Sequence, residues 1–230
     1  MKKFIYSVGF IAIICAMVIT CVEMFSFNVG YYDKTYRKLK TADTIGISEE
    51  DLHKSTIHLL EYIKGDHDNL DVLVTIDGQE VPMFNQREID HMVDVQVLMV
   101  NVLNLRNVLA IIGVIILIVA VTTKDIKDLV LIRQSLIKSL MLLGLIFGFI
   151  GLYAFIDFDS FWIQFHEVLF TNDLWLLNPA VDRLIMMVPQ EFFSGLVYRI
   201  VAGIAFIILA FVSLAYALGR RIQHVAHRSL

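Results

Sequence analysis

Two histidines stand among neighbours suited to proton transfer. His91 sits in Glu88-Ile-Asp-His91-Met-Val-Asp94, which places Glu88 and Asp94 at i−3 and i+3 on one helical face, where a carboxylate can fix its tautomer. His166 follows Phe165 and precedes Glu167, with Phe170, Asn172, Asp173 and Trp175 close behind. Imidazole changes charge near neutral pH, so in an apolar setting beside an acid it serves as general acid or base. The remaining histidines read otherwise. His53, His58 and His67 lie in polar stretches, and His224 and His227 stand among arginines, where solvation or headgroup contact accounts for them.

Other chemistries find less support. His166-Glu167 opens like the H-E-x-x-H zinc motif, but position 170 is Phe and the second ligand is missing. Asp66-His67-Asp68 with Asp71 holds only part of a calcium loop. There is no G-x-S-x-G, Walker or dinucleotide motif, and no cofactor is expected. Arg106 and Arg199 mark the outer ends of apolar runs, where they snorkel to headgroups or bind a substrate phosphate or carboxylate. Asp182 and Glu191 also border apolar sequence; acids buried there need partners, which makes them candidates for holding His166 or an arginine. Two further readings stay open beside an enzyme: a non-enzymatic membrane accessory or receptor protein, and a haem or metal protein ligated by His91 and His166.

The elements that must position these residues follow from composition. Of 230 residues 57% are hydrophobic and 18% charged, against roughly a quarter charged in soluble domains. Mean hydropathy is +0.70, which points to an α-helical integral membrane protein. A net charge of −4 lacks the basic footprint of a nucleic-acid binder, so no nucleic-acid partner is expected. Cys15 and Cys21 lie in one apolar run and imply neither a disulfide framework nor a thiolate metal site.

Phe4–Val22, Asn107–Thr123, Ser139–Ile156 and Ile200–Gly219 are free of charge over lengths near the roughly 20 helical residues that cross a hydrocarbon core. The first exceeds the roughly 7–15 apolar residues of a secretory signal and lacks a small-residue cleavage site, so it reads as an uncleaved anchor. Lys and Arg concentrate at Lys2-Lys3, in 124–138 and in Arg220, Arg221 and Arg228, which puts these short segments in the cytoplasm together with both termini. The organisation expected is a transmembrane helix in 1–25, an extracytoplasmic unit in 26–102, a second span in 103–123 and a cytoplasmic loop in 124–138. A third span in 139–157, an extracytoplasmic or interfacial segment in 158–194, a fourth span in 195–219 and a cytoplasmic tail in 220–230 complete it.

Ser48-Glu-Glu-Asp51 caps a helix that runs to about Lys64 and stops at Gly65. Asp71–Ile76 and Gln79–Phe84 flank Asp77-Gly78 as a β-hairpin, with Pro82 confining its strand to an edge. Asn85 and Glu88 form a capping box for a helix continuing towards residue 121, about 54 Å if unbroken. Phe158, Phe161, Trp162, Phe165 and Phe170 give 158–194 the rings of a membrane–water boundary, and Asn178-Pro179 predicts a short helix ended by Pro189.

These strings resemble a known family. Four spans, the string Glu88–Val95 with His91-Met92 and Asp94-Val95, the spaced run from Phe165-His166 through Asn172-Asp173, Trp175, Pro179 and Asp182 to Leu184-Ile185, and Pro189–Phe193 are similar to the lipoprotein intramolecular transacylases. The resemblance covers nearly the whole chain. It implies a bacterial plasma-membrane acyltransferase acting at the outer face on diacylglyceryl-modified lipoproteins, moving the sn-2 acyl chain to the α-amine of the N-terminal cysteine to give the lyso-form. It also implies that His91 and His166 are catalytic, with membrane lipid around a lipoprotein substrate. Aminolysis within one substrate needs no enzyme nucleophile. Asn172, the Trp175 indole or backbone amides are then the expected donors to the oxyanion.

Overall fold

The structure, a computed structural model, describes residues 1–228 apart from the side chains of Val225, His227 and Arg228; the expected roles of His227 and Arg228 lie outside the described residues. The elements in chain order are α1 (Lys2–Ser26), α2 (Val29–Leu39), α3 (Thr41–Ile45), α4 (Glu49–Lys64), β1 (Leu73–Ile76) and β2 (Gln79–Pro82), followed by α5 (Gln86–Thr122), α6 (Ile126–Ile156), α7 (Phe158–Leu169), α8 (Arg183–Met187) and α9 (Gln190–Arg228). Four of the helices, α1, α5, α6 and α9, are long and apolar enough to cross a membrane. The chain divides into two compact units. One comprises Met1–Glu23, Leu103–Ile156 and the chain from Tyr198 on; the other comprises Met24–Val102 and Asp157–Val197.

In the first unit α1 is the interior helix. Half of its apolar window is buried, against 17% to 22% for the other three. Its small residues Gly9, Ala12 and Ala16 are buried and admit neighbours at short range. A Cβ on Gly9 would lie 2.1 Å from the Ile116 side chain of α5, and one on Gly113 of α5 would lie 2.7 Å from the Ile13 Cα. Lipid tails are as apolar as leucine, so such helices associate through close packing and polar contacts rather than water exclusion. The polar contacts are present too. Ser135 and Ser139 of α6 donate to the Lys3 and Ser7 carbonyls of α1 at 3.0 and 3.2 Å.

The stretch 124–138, expected as a loop, is helical from Ile126. Asp125 accepts from the Lys127 amide at 2.8 Å and Asp128 adds an acid to the first turn, while Leu129, Ile132 and Leu136 bury an apolar face. Charge marked this stretch as a connection; its apolar spacing carried the helix through it.

In the second unit Ser48 caps α4 by accepting from the Asp51 amide, and Gly65 ends it at φ +86. The hairpin pairs Ile76 with Gln79 across Asp77 and Gly78, whose φ values of +51 and +79 are those of a tight two-residue turn. No expectation marked α2 as a core element, yet Tyr31, Tyr32 and Tyr36 set their rings 5.0, 4.7 and 6.0 Å from that of fully buried Phe192. The Tyr31 hydroxyl donates to the Phe192 carbonyl at 2.6 Å. The short helix expected from Asn178-Pro179 begins only at Arg183. Asn178 instead opens a turn, because its carbonyl accepts from Asp182 and its amide donates to the Asp182 carboxylate at 2.6 Å.

Gly113→Ala will lower the thermal unfolding midpoint of the detergent-solubilised protein, with a cost of about 1–3 kcal/mol for forcing a methyl against backbone. Gly144→Ala, which meets nothing within 4 Å, will leave it unchanged or raise it slightly.

Candidate active site

The site is assembled wholly within the second unit. Asn85 and Glu88 cap α5 reciprocally: the Asn85 side-chain oxygen accepts from the Glu88 amide at 3.1 Å, and the Glu88 carboxylate accepts from the Asn85 amide at 2.7 Å. The second Glu88 oxygen accepts from the Leu184 amide at the start of α8. The Asn85 side-chain amide donates to Asp182 at 2.7 Å. Glu88 and Asp182, 1% and 3% exposed, thus tie the first turn of α5 to the turn before α8 through hydrogen bonds from neutral donors.

One turn beyond Glu88 on α5, His91 is buried, and its Nδ1 has no hydrogen-bond partner among the described residues. Its ring centroid lies 6.2 Å from that of His166 and 5.2 Å from the edge-on ring of Phe170. His166 is buried in the last turn of α7, a helix that Asp157 starts by capping Ser160. The bond of His166 Nδ1 to the Trp162 carbonyl, 2.8 Å long, defines the tautomer. A carbonyl only accepts, so Nδ1 carries the hydrogen and Nε2 presents a lone pair. The Trp175 ring stacks on the imidazole at 4.9 Å and 23°, while Trp162 meets it edge-on at 4.5 Å. Burial holds the His166 imidazolium below its ordinary pKa of 6.5, opposed by the bond to the Trp162 carbonyl. The ring is therefore neutral at pH 7.

The segment from Phe170 to Leu177 straps onto α5. Arg87, His91 and Asp94, at i, i+4 and i+7, share one helical face. Arg87 donates to the Asp173 carbonyl, Phe170 abuts His91, and Asn172 donates to the Asp94 carboxylate at 2.8 Å. The Trp175 indole N–H donates to the Asn172 carbonyl at 3.0 Å.

Several expectations change in this geometry. Neither Glu88 nor Asp94 bonds to His91; both carboxylates hold other partners. Asp182 binds Asn85 and Asn178 rather than His166 or an arginine, and Glu191 is exposed. The side-chain donors of Asn172 and Trp175, expected to face an oxyanion, are engaged with Asp94 and the Asn172 carbonyl. Arg106 and Arg199 belong to the first unit, where Arg106 pairs with Glu23. Among the described residues no three His, Cys, Asp or Glu side chains cluster to hold a metal ion. Sequence reading missed the strap's register on α5 and the roles of Arg87, Trp162 and Phe170. The face of Arg87, His91 and Asp94 was legible as a spacing; its partners were not.

A family model described as lipoprotein intramolecular transacylase Lit matches residues 7–193. The in meso structure of the membrane-integral lipoprotein intramolecular transacylase Lit from Bacillus cereus superposes with a TM-score of 0.76 at 22% identity, covering 97% of this chain and 98% of that one. Its variants with a histidine replaced by arginine or by alanine give TM-scores of 0.73 and 0.72 at 21% identity, covering 97% of this chain and 94% and 96% of theirs. Among curated protein sequences there is no match.

Glu88→Gln removes an acceptor from one of two buried amides. It will cost about 1–3 kcal/mol of stability, and hydrogen–deuterium exchange will show faster exchange at Leu184 and Asn85. Unchanged protection at both amides would contradict the clamp.

Proposed function

Since the chain belongs to the lipoprotein intramolecular transacylase family, a family of multi-pass membrane enzymes, we propose that it moves the sn-2 acyl chain of a diacylglyceryl lipoprotein to the α-amine of the same N-terminal cysteine, with His166 moving the proton and His91 donating to the oxyanion. The observation that carries this reading is the buried pair itself. Two imidazoles lie 6.2 Å apart, one neutral with Nε2 open and one with a buried, unpartnered Nδ1.

The reaction then runs without an enzyme nucleophile. The substrate amine attacks the sn-2 ester carbonyl, a C–N bond forms, the C–O bond to glycerol breaks, and one proton passes from nitrogen to the glycerol oxygen. His166 Nε2 takes the proton from the amine as general base. His91, a neutral imidazole with its hydrogen on Nδ1, donates a hydrogen bond to the developing oxyanion, a contact that would satisfy the orphaned atom, and the proton taken by His166 is returned to the departing glycerol oxygen, which leaves both rings neutral. Because amine and ester belong to one molecule, the protein's contribution is mainly to hold them in register and exclude water. The product is the lyso-form lipoprotein.

Orientation follows from charge. Lys2, Lys3, Lys124, Lys127, Arg220 and Arg221 favour the cytoplasmic side, which supports both termini inside and the histidine pair at the outer face, where lipidated substrates reside. The accessory-protein alternative predicts that the pair can be replaced without effect.

Mass spectrometry of a reporter lipoprotein's N-terminal peptide, from cells lacking other N-acylating enzymes, tests this. One acyl chain on nitrogen and one on glycerol should appear with the parent protein and vanish with His91→Asn or His166→Asn at matched expression. An unchanged diacylglyceryl peptide in the parent cells would sink the reading. A neutral base depressed by burial loses function only as pH falls through its lowered pKa. Protonation of the substrate α-amine, whose ordinary pKa is about 7.7–8.0, sets the first decline in the transfer rate of purified enzyme as pH falls; His166 should add a second with a midpoint below 6.5, and a second midpoint at or above 6.5 would contradict the buried-base assignment.

A further inference from the structure

Trp175 has a place in the site that the reading above leaves without a role. Its indole face lies against the His166 imidazole at 4.9 Å and 23°, close to parallel. The other rings near His166 meet it differently: Trp162 and Phe165 present edges at 71° and 84°, and Phe170 is tilted at 5.8 Å. The negative face of an aromatic ring stabilises a cation above it, and indole does so best. A base that takes a proton becomes that cation.

The indole is also held. Its N–H is tied to the Asn172 carbonyl at 3.0 Å, the Asn172 side chain is tied to Asp94 of α5 at 2.8 Å, and Arg87 grips the Asp173 carbonyl between them. Asn172 and Asp173 are exposed, so these bonds hold a surface strap in place rather than build a core. The charged groups about the pair are consequently paired elsewhere, Arg87 with Asp173 and Asp94 with Asn172, and His91 is the titratable ring that faces His166. Among the described residues no carboxylate hydrogen-bonds to His166 Nδ1; a backbone carbonyl does. The site lacks the acid that commonly supports an imidazolium, and the stacked indole occupies the position to do so.

We propose that Trp175 is a positioning residue for His166, its stacked face fixing the plane of the imidazole and stabilising the imidazolium formed when Nε2 takes the amine proton. This rests on the transacylase reading with His166 as base. The charge develops only as the proton is transferred, so the contact acts on kcat and leaves substrate binding alone.

The test uses the full chain in detergent with a synthetic diacylglyceryl-cysteinyl peptide. Trp175→Leu should lower kcat roughly tenfold, the order expected for a desolvated cation–π contact, with KM unchanged. Trp175→Phe, which keeps a ring face, should recover most of that loss. A second arm reads the stack directly. Trp162 and Trp175 are the only two tryptophans, so in Trp162→Phe protein the emission of Trp175 should fall as pH is lowered and His166 becomes charged, and adding His166→Asn should abolish that step. Parental kcat in Trp175→Leu, a loss confined to KM, or emission that ignores His166 would each overturn the proposal. If Trp175→Leu does not fold, Trp175→Phe and the fluorescence arm decide. Should His166→Asn itself keep parental transfer, the base assignment fails; should it be inactive while Trp175→Leu is unimpaired, only the role of Trp175 fails.

Discussion

Glu88 accepts hydrogen bonds from two backbone amides nearly a hundred residues apart in sequence, that of Asn85 at the start of α5 and that of Leu184 at the start of α8. Both helices begin with amides that have no intrahelical acceptor. One buried carboxylate satisfies a donor from each, and Asn85 repeats the connection through Asp182. Two acids placed so deeply are costly unless fully hydrogen-bonded. Here the bonds are made, and they fix α5 against the segment from Asn178 to Leu184. His91 lies one turn along α5 from this clamp, so its position is inherited from it.

The second histidine is held by a different device. His166 takes its tautomer from a carbonyl four residues earlier in its own helix, and its environment from rings. Aromatic faces exclude water and lower the stability of the charged form, while a parallel indole returns part of that loss when charge develops. Under the proposed reaction, the pair would combine a neutral resting state with the capacity to accept a proton. The strap from Phe170 to Leu177 meets both histidines, touching His91 through Phe170 and His166 through Trp175.

The spanning unit obeys other rules. Its interior helix is lined with small residues, and serine hydroxyls on α6 reach backbone carbonyls on α1. Helices that cannot gain from excluding water need backbones close together, and Gly9 of α1 and Gly113 of α5 supply that proximity between the two helices. Tyr31, Tyr32 and Tyr36 show the contrasting arrangement in the other unit, where large amphipathic rings close around Phe192 and the Tyr31 and Tyr32 hydroxyls find carbonyls.

Much of this was legible in the residues because the interactions are local. The capping box of Asn85 and Glu88, the Asp77-Gly78 turn, the Ser48 cap with its Gly65 stop and the four apolar spans all depend on neighbours within a few positions, and backbone chemistry dictates them; that α5 runs unbroken from Gln86 to Thr122 was decided by the structure. The two histidines stood out for the same reason, as titratable groups beside acids and apolar residues. What the sequence left open were the partners across long separations. It suggested that Glu88 and Asp94 serve His91, whereas the fold gives Glu88 to Leu184 and Asp94 to Asn172. It suggested that Asn178-Pro179 starts a helix, whereas the Asp182 carboxylate turns that segment into a loop. A carboxylate bonds with equal readiness to any well-placed donor, so its choice rests on which backbone the tertiary packing brings within 3 Å, and no spacing along the chain encodes that distance.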